Sequence, residues 1–243
     1  MRKKWGIILK KKISSILLIL IPFLLGVLLY YNSPKTIEAE AKQIQIEEKV
    51  QEEPNYEEII NNLKSTYNNQ DIIGIVQIPN ILEEIVLQTN NNDYYLKHDI
   101  YHNYNINGAA FLDYRNNLRD SKKLLIYGHS DPYGELPFVK ITSFNNEKFL
   151  KDNPYIYLID KDGKRQYEVF SSYIETKDFD YVNLESFGGL TYKEHLEKLK
   201  KKSFVNKKIE LDDNSKVLIL QTCSFDSRIQ AKTKYQLVVA KEI

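Results

Sequence analysis

The sequence predicts a mostly β domain: an eight-stranded barrel with a few peripheral helices, placed behind a single N-terminal transmembrane helix. Three observations carry this. From Asp71 onward, short β-rich runs recur with turn chemistry between them. Helical periodicity is confined to a few brief stretches. Residues 13–31 form an uncharged apolar run directly behind a basic start.

The opening MRKKWGIILKKK, residues 1–12, carries six basic residues. The run ISSILLILIPFLLGVLLYY that follows has 19 residues, enough to cross about 30 Å of hydrocarbon at about 1.5 Å per residue. Pro22 and Gly26 are tolerated in such helices. The basic flank would stay in the cytoplasm and send the rest of the chain outside. The expected location is therefore the cell membrane, single-pass, with an extracellular domain. A cleaved signal peptide is the alternative, but its apolar core would be shorter and a small-x-small site would stand close behind it.

Residues 32–69 read as a stalk and a helix. KTIEAEAKQIQIEEKVQEEP (35–54) is charged, with only a thin apolar stripe, as in a solvated helical spacer halted near Pro54. NYEEIINNLKSTY (55–67) is more amphipathic and brings Ile59, Ile60, Leu63 and Tyr67 to one side. The domain proper spans 70–243. Its strand candidates are DIIGIVQIP, ILEEIVLQ, GAAFLDY, KLLIYGH, YIYLID, RQYEVFSSYIETK, KVLILQT and YQLVVAKEI. Asp162-Gly163 marks a hairpin between the fifth and sixth. Helical interruptions fit 92–99, 145–152 and 190–202. Eight strands with so few helices suggest a closed or nearly closed barrel.

Composition excludes some functions. With 34 basic against 33 acidic residues and a net charge of +1, nothing global calls for nucleic acid. One cysteine, Cys223, makes an intramolecular disulfide impossible, so the thiol is intermolecular, buried or reactive. Four histidines are present. His195, among Glu and Lys, reads as a solvated surface residue. His98 and His102 stand four apart, but the residues between them look like a helix end, and no HExxH or cysteine partner supports a metal site.

His129 ends KLLIYGH and enters the turn-rich SDPYGELP, while Cys223 ends VLILQTC and enters SFDSRIQAKTK. Both stand where a strand gives way to a loop, a common place for function. A thiol with a histidine distant in sequence is the pattern of thiol acyl transfer. The bland readings stand beside it: a loop histidine in a hydrogen bond, and a free cysteine packed as a small hydrophobe.

Together, GAAFLDYRNNLRDSKKLLIYGHS, DNPYIYLID and LILQTCSF resemble a sortase. NDYYLKHDIYHNYNINGAAFLDYRN before the histidine strand and LTYKEHLEKLKKK between the sixth and seventh strands resemble class B in particular. The resemblance covers roughly 70–243 and implies a cysteine transpeptidase on a sortase barrel, with no metal or organic cofactor. It implies that Cys223 attacks a threonine carbonyl in the C-terminal sorting motif of a secreted protein and forms a thioester. His129 would serve the departing and incoming amines. The acceptor would be an amine of a peptidoglycan precursor or a pilin lysine. A thiol peptidase using water and a silent barrel that binds sorting peptides are the alternatives.

Two departures stand out. Sortases carry an arginine on the strand after the cysteine, where this chain has Tyr235. Arg228 from the loop is favoured as its replacement for its charge and fork geometry, with Lys234 and Tyr235 as alternatives. Gln221 also stands where serine commonly precedes the TC pair in class B. Among aromatics, Tyr127, Tyr133, Phe138, Tyr173 and Tyr181 could line a peptide groove, but packing is the favoured reading for each. Asp113 and Arg115 read as a structural ion pair or turn anchor. Asp226 has no assigned role.

Overall fold

The computed structural model describes residues 54–243 and, before them, only Leu29. The basic flank, the expected anchor at 13–31 (Leu29 apart) and the spacer up to residue 53 lie outside the described residues. Among the described residues no helix is long and apolar enough to cross a membrane.

Helix α1 (Tyr56–Tyr67) starts where Asn55 accepts a hydrogen bond from the Glu58 amide, and it stops at Asn68 in the left-handed region. Its inner face is Ile60, Leu63 and Tyr67, packed on Ile72, Leu87 and Phe111. Ile59 is turned outward, since at 100° per residue it falls beside that stripe rather than on it.

Eight strands close into a barrel in the order β1-β2-β3-β4-β7-β8-β6-β5. They are β1 (Ile72–Ile78), β2 (Leu82–Leu87), β3 (Phe111–Leu112), β4 (Lys123–Tyr127), β5 (Tyr155–Asp160), β6 (Gly163–Glu175), β7 (Val217–Cys223) and β8 (Tyr235–Glu242). Each expected run supplies one, although GAAFLDY shrinks to two residues. In the β5–β6 hairpin Asp160 pairs with Gly163, so the turn is Lys161-Asp162 and the glycine already belongs to the strand.

Two core layers explain why some strands alternate and others do not. β1 alternates buried and half-buried residues, as a strand with one covered face does. LLI in β4, VLIL in β7 and LVVA in β8 are continuously buried, because both of their faces are covered. Leu124, Ile126, Leu218, Leu220 and Val238 fill the barrel with Phe138 and Phe144. Leu125, Ile219, Leu237 and Val239 face outward onto helix α3 (Tyr192–Lys201) through Leu196 and Leu199. The remaining helix, α2 (Glu147–Asp152), follows a 3-10 stretch at Pro137–Asn145 that sequence periodicity did not suggest.

His195 is corrected by the same packing. It is buried, not solvated. Tyr192, His195, Leu196 and Leu199 follow the i, i+3, i+4, i+7 spacing of one helical face, and that face lies on the barrel. Its Nε2 sits 3.0 Å from the Lys123 ammonium, which also donates to the Asn183 carbonyl. The Phe187 ring stacks on the imidazole at 4.5 Å. Burial pulls the Lys123 ammonium down to about 7. Burial first, and then the Lys123 charge, pull His195 down to about 3.

This pair predicts a pH signature. The unfolded chain binds the Lys123 proton at its ordinary 10.5 and the folded chain only near 7, so the wild-type protein loses stability as pH falls between those values. Lys123→Met removes that loss. In denaturant titrations its stability relative to wild type should improve from about pH 10 down to about pH 7, then level off, by a few kcal/mol at most. A constant difference across that window would contradict the assignment.

Candidate active site

The site follows from one register. β4 and β7 run parallel, with Ile126 paired to Leu220 and Tyr127 to Gln221. The Gly128 amide continues the ladder to the Gln221 carbonyl at 3.0 Å. Two residues beyond Tyr127 and Gln221, on the same side of their strands, stand His129 and Cys223. The Ser130 hydroxyl donates to the Cys223 carbonyl at 2.6 Å and pins the two strand ends together. On the other side of β7, β8 is antiparallel and pairs Tyr235 directly with Cys223. His129, Cys223 and Tyr235 thus form a row across three neighbouring strands. Gly128 is fixed by packing: a Cβ there would collide with the Phe138 ring.

All three residues line one open cleft of about 780 Å³, and Tyr127, Tyr181 and Gln221 line it as well. Cys223 is half-buried, and that burial pushes its thiol up. The His129 Nε2 lies 3.0 Å from the Leu96 carbonyl. A carbonyl only accepts, so Nε2 carries a hydrogen and Nδ1 is the nitrogen left to exchange a proton. A half-buried thiol and an imidazole that line one open cleft from neighbouring strand ends are the groups that nucleophilic acyl transfer requires.

Buried polar groups hold the wall. The Tyr127 hydroxyl donates to Asp113 at 2.9 Å, and Asp113 is fully buried. Arg115 grips that carboxylate with two bonds of 2.8 and 2.7 Å, the structural ion pair the sequence suggested. Burial alone would raise Asp113, but the hydrogen bonds from Arg115 and Tyr127 hold it below the usual carboxylate range. Arg115 also donates to the Val182 carbonyl, so the cleft wall at Tyr181-Val182 is tied to this network. Gln221 has a local purpose, since its amide oxygen accepts from the Tyr181 hydroxyl at 3.1 Å.

The structure does not bring Arg228 into the cleft. Its guanidinium is held by Asp226 at 2.5 Å with most of the side chain exposed, and it lines a separate cavity of about 430 Å³ with Asp131 and Thr142. Asp226 is engaged there rather than with His129. Lys234 caps the same loop, donating to the carbonyls of Asp226 and Ile229. Of the three residues weighed for the arginine's place, only Tyr235 lines the cleft. Lys232, which the sequence reading passed over, lines it as well. The bends at 232–233 break the strand period that would have pointed to it.

The other predicted residues fall elsewhere. His98 stacks on Tyr94 at 4.0 Å, and its Nδ1 lies 2.8 Å from the Tyr94 carbonyl. His102 meets the Tyr94 hydroxyl through Nδ1 at 3.2 Å. The region is a 3-10 turn at Tyr94–Leu96 followed by a loop, not a helix carrying both imidazoles. Among the described residues no group of three or more His, Cys, Asp or Glu is arranged to hold a metal ion. Phe138 and Tyr173 are core residues, as packing suggested, and Tyr133 is exposed rather than packed.

The raised thiol gives a direct check. Alkylation of the native protein by iodoacetamide should rise with pH along a curve whose midpoint lies above that of free cysteine, about 8.5. A midpoint below that value would mean that burial does not dominate at Cys223.

No family model matches the chain. The sortase B of Staphylococcus aureus (strain NCTC 8325 / PS 47) is 28% identical over 177 residues, which cover 72% of this chain and 71% of that one. The X-ray structure of Clostridium perfringens sortase B superposes with a TM-score of 0.67 at 30% identity, covering 75% of this chain and 98% of that one. A Staphylococcus aureus sortase B–substrate complex superposes with a TM-score of 0.69 at 27% identity, covering 85% of this chain and 93% of that one.

Proposed function

The chain belongs to the class B sortases and is a cysteine transpeptidase, and from that premise we propose how its cleft performs the reaction. The observation that carries the proposal is the parallel β4–β7 register, which ends in His129 on one strand and Cys223 on the other, both lining one open cleft. The substrate is the C-terminal sorting motif of a secreted protein, laid along that cleft and cut after threonine. A relative captured with substrate supports this choice.

The thiol proton of Cys223 passes to His129 Nδ1 as Sγ attacks the threonine carbonyl carbon. The negative charge then lies on the carbonyl oxygen. Collapse breaks the carbon–nitrogen bond, the Nδ1 proton goes to the leaving amine, and a thioester remains on Cys223. An amine from a peptidoglycan precursor or a pilin attacks next and gives its proton to Nδ1. The carbon–sulfur bond breaks, and that proton returns to sulfur. Because burial favours the neutral thiol, the proton transfer accompanies the attack instead of preceding it at neutral pH.

Tyr235 takes the place of the missing arginine. It pairs with Cys223, so its hydroxyl is the side-chain donor the strand offers to the substrate carbonyl. A neutral phenol supplies less stabilisation to an oxyanion than a guanidinium does. The apolar run at 13–31 would hold this domain outside the cell, within reach of secreted substrates.

The purified protein, incubated with sorting-motif peptides and an amine acceptor, should show an acyl adduct on Cys223 by intact mass, which clears to an amine-linked product. Cys223→Ala should abolish the adduct, and His129→Ala should slow its formation by about a hundredfold or more. Hydrolysed peptide without amine product would make water the acceptor. Tyr235→Phe should lower kcat by about tenfold to a hundredfold, while Arg228→Ala should stay within about twofold of wild type. The reverse ranking would return the donor role to Arg228.

A further inference from the structure

The histidine is held by a segment to which no role has been given. The chain from Lys97 to Asn105 closes on itself: the Asn105 amide donates to the Lys97 carbonyl at 2.8 Å and the Asp99 amide to the Asn103 carbonyl at 2.9 Å. The base of this loop is Tyr95-Leu96 on one side and Gly108-Ala109 on the other, joined by the Ala109 amide donating to the Tyr95 carbonyl at 3.0 Å. His129 lies against that base. Its Nε2 meets the Leu96 carbonyl at 3.0 Å, and its Cδ2 stands 3.0 Å from where a Cβ on Gly108 would be.

Gly108 has two reasons to be glycine. Its φ is +55°, which L side chains rarely adopt, and a Cβ would collide with the Tyr95 carbonyl oxygen as well as crowd the imidazole. The Tyr95 side chain anchors the base from below, buried, with its hydroxyl donating to Asp71 at 2.8 Å.

We propose that the loop base formed by Leu96 and Gly108 is a clamp that fixes the ring orientation and tautomer of His129, making Gly108 a positioning residue for the transpeptidase reaction. This rests on the assignment of His129 as the proton carrier. The Leu96 carbonyl holds the hydrogen on Nε2 in both charge states, so only Nδ1 exchanges protons with sulfur and amine. Gly108 leaves room for the ring to keep that bond. A side chain there would push either the imidazole or the Leu96 carbonyl and release Nε2. The ring could then adopt the other neutral tautomer, with Nδ1 blocked.

The test compares Gly108→Ala with Gly188→Ala in the full chain. Gly188 has a similar φ of +64° but nothing within 4 Å of an added Cβ, so it carries the backbone strain without the collision. Two readouts are taken: the histidine tautomer by nitrogen NMR, and kcat against KM with a sorting peptide. The expected result is an Nε2–H tautomer for neutral His129 in wild type and in Gly188→Ala. Gly108→Ala should lose that signature and lower kcat at least tenfold with little change in KM.

An Nδ1–H tautomer in wild type overturns the clamp, whether or not Gly108→Ala folds. Equal activity of the two variants, or loss of activity in Gly108→Ala with the tautomer unchanged, also overturns it. Failure of the wild-type protein to form any acyl adduct would instead count against the assigned reaction, and the NMR result would still decide the clamp.

Discussion

The parallel pairing of β4 with β7 is the constraint on which the rest depends. Parallel neighbours cannot be joined by a tight turn, so the chain must run out through β5, β6 and α3 before it returns as β7. That detour brings residues from distant parts of the sequence to adjacent strand ends. It also requires both strands to be covered on two faces, which is why KLLIY and VLIL read as unbroken apolar runs. A one-residue slip in this register would turn His129 and Cys223 to opposite sides. The interdigitation of Leu124, Ile126, Leu218 and Leu220 in the barrel core makes such a slip costly.

Around this pair the protein spends buried polar groups on holding a wall rather than on chemistry. The segment between β6 and α3 faces the cleft at Phe179, Tyr181 and Val182. It is fastened by carbonyl contacts, Val182 to Arg115 and Asn183 to Lys123. Lys123 opens β4 and Arg115 follows β3, its neighbour in the barrel, so the strands that lead to the histidine also fasten this segment. A buried lysine without a carboxylate partner is an expensive fastener, and the depressed basicity of Lys123 is the visible consequence.

The barrel was legible because strand runs and turn chemistry are local properties, and all eight strands grew from runs visible in the sequence. The placement of Cys223 and His129 at strand ends was legible for a similar reason: the residue that closes an apolar run and opens a turn-rich loop is a one-dimensional signal. The supporting cast was not. His195 looked polar in composition and was misread, although its spacing to Leu196 and Leu199 already placed it on a buried face. Arg228 was favoured for its charge, yet a carboxylate two residues away captures it, a competition that side-chain chemistry alone does not rank. Tyr235 became visible through strand register. The Leu96 contact could not be read at all, since a backbone carbonyl leaves no mark in the amino-acid identity.

A disulfide cross-link probes the β4–β7 register. Adjacent strands lie about 4.8 Å apart, inside the range of about 4.4–6.8 Å over which two cysteines bridge. His129→Cys should therefore form an intramolecular disulfide with Cys223 under mild oxidation, seen as a monomer lighter by two hydrogens with no titratable thiol, whereas Arg228→Cys should keep both thiols. If His129→Cys retained two free thiols while Arg228→Cys closed, the β4–β7 register would not place the histidine beside the cysteine, and the account of the site would fall.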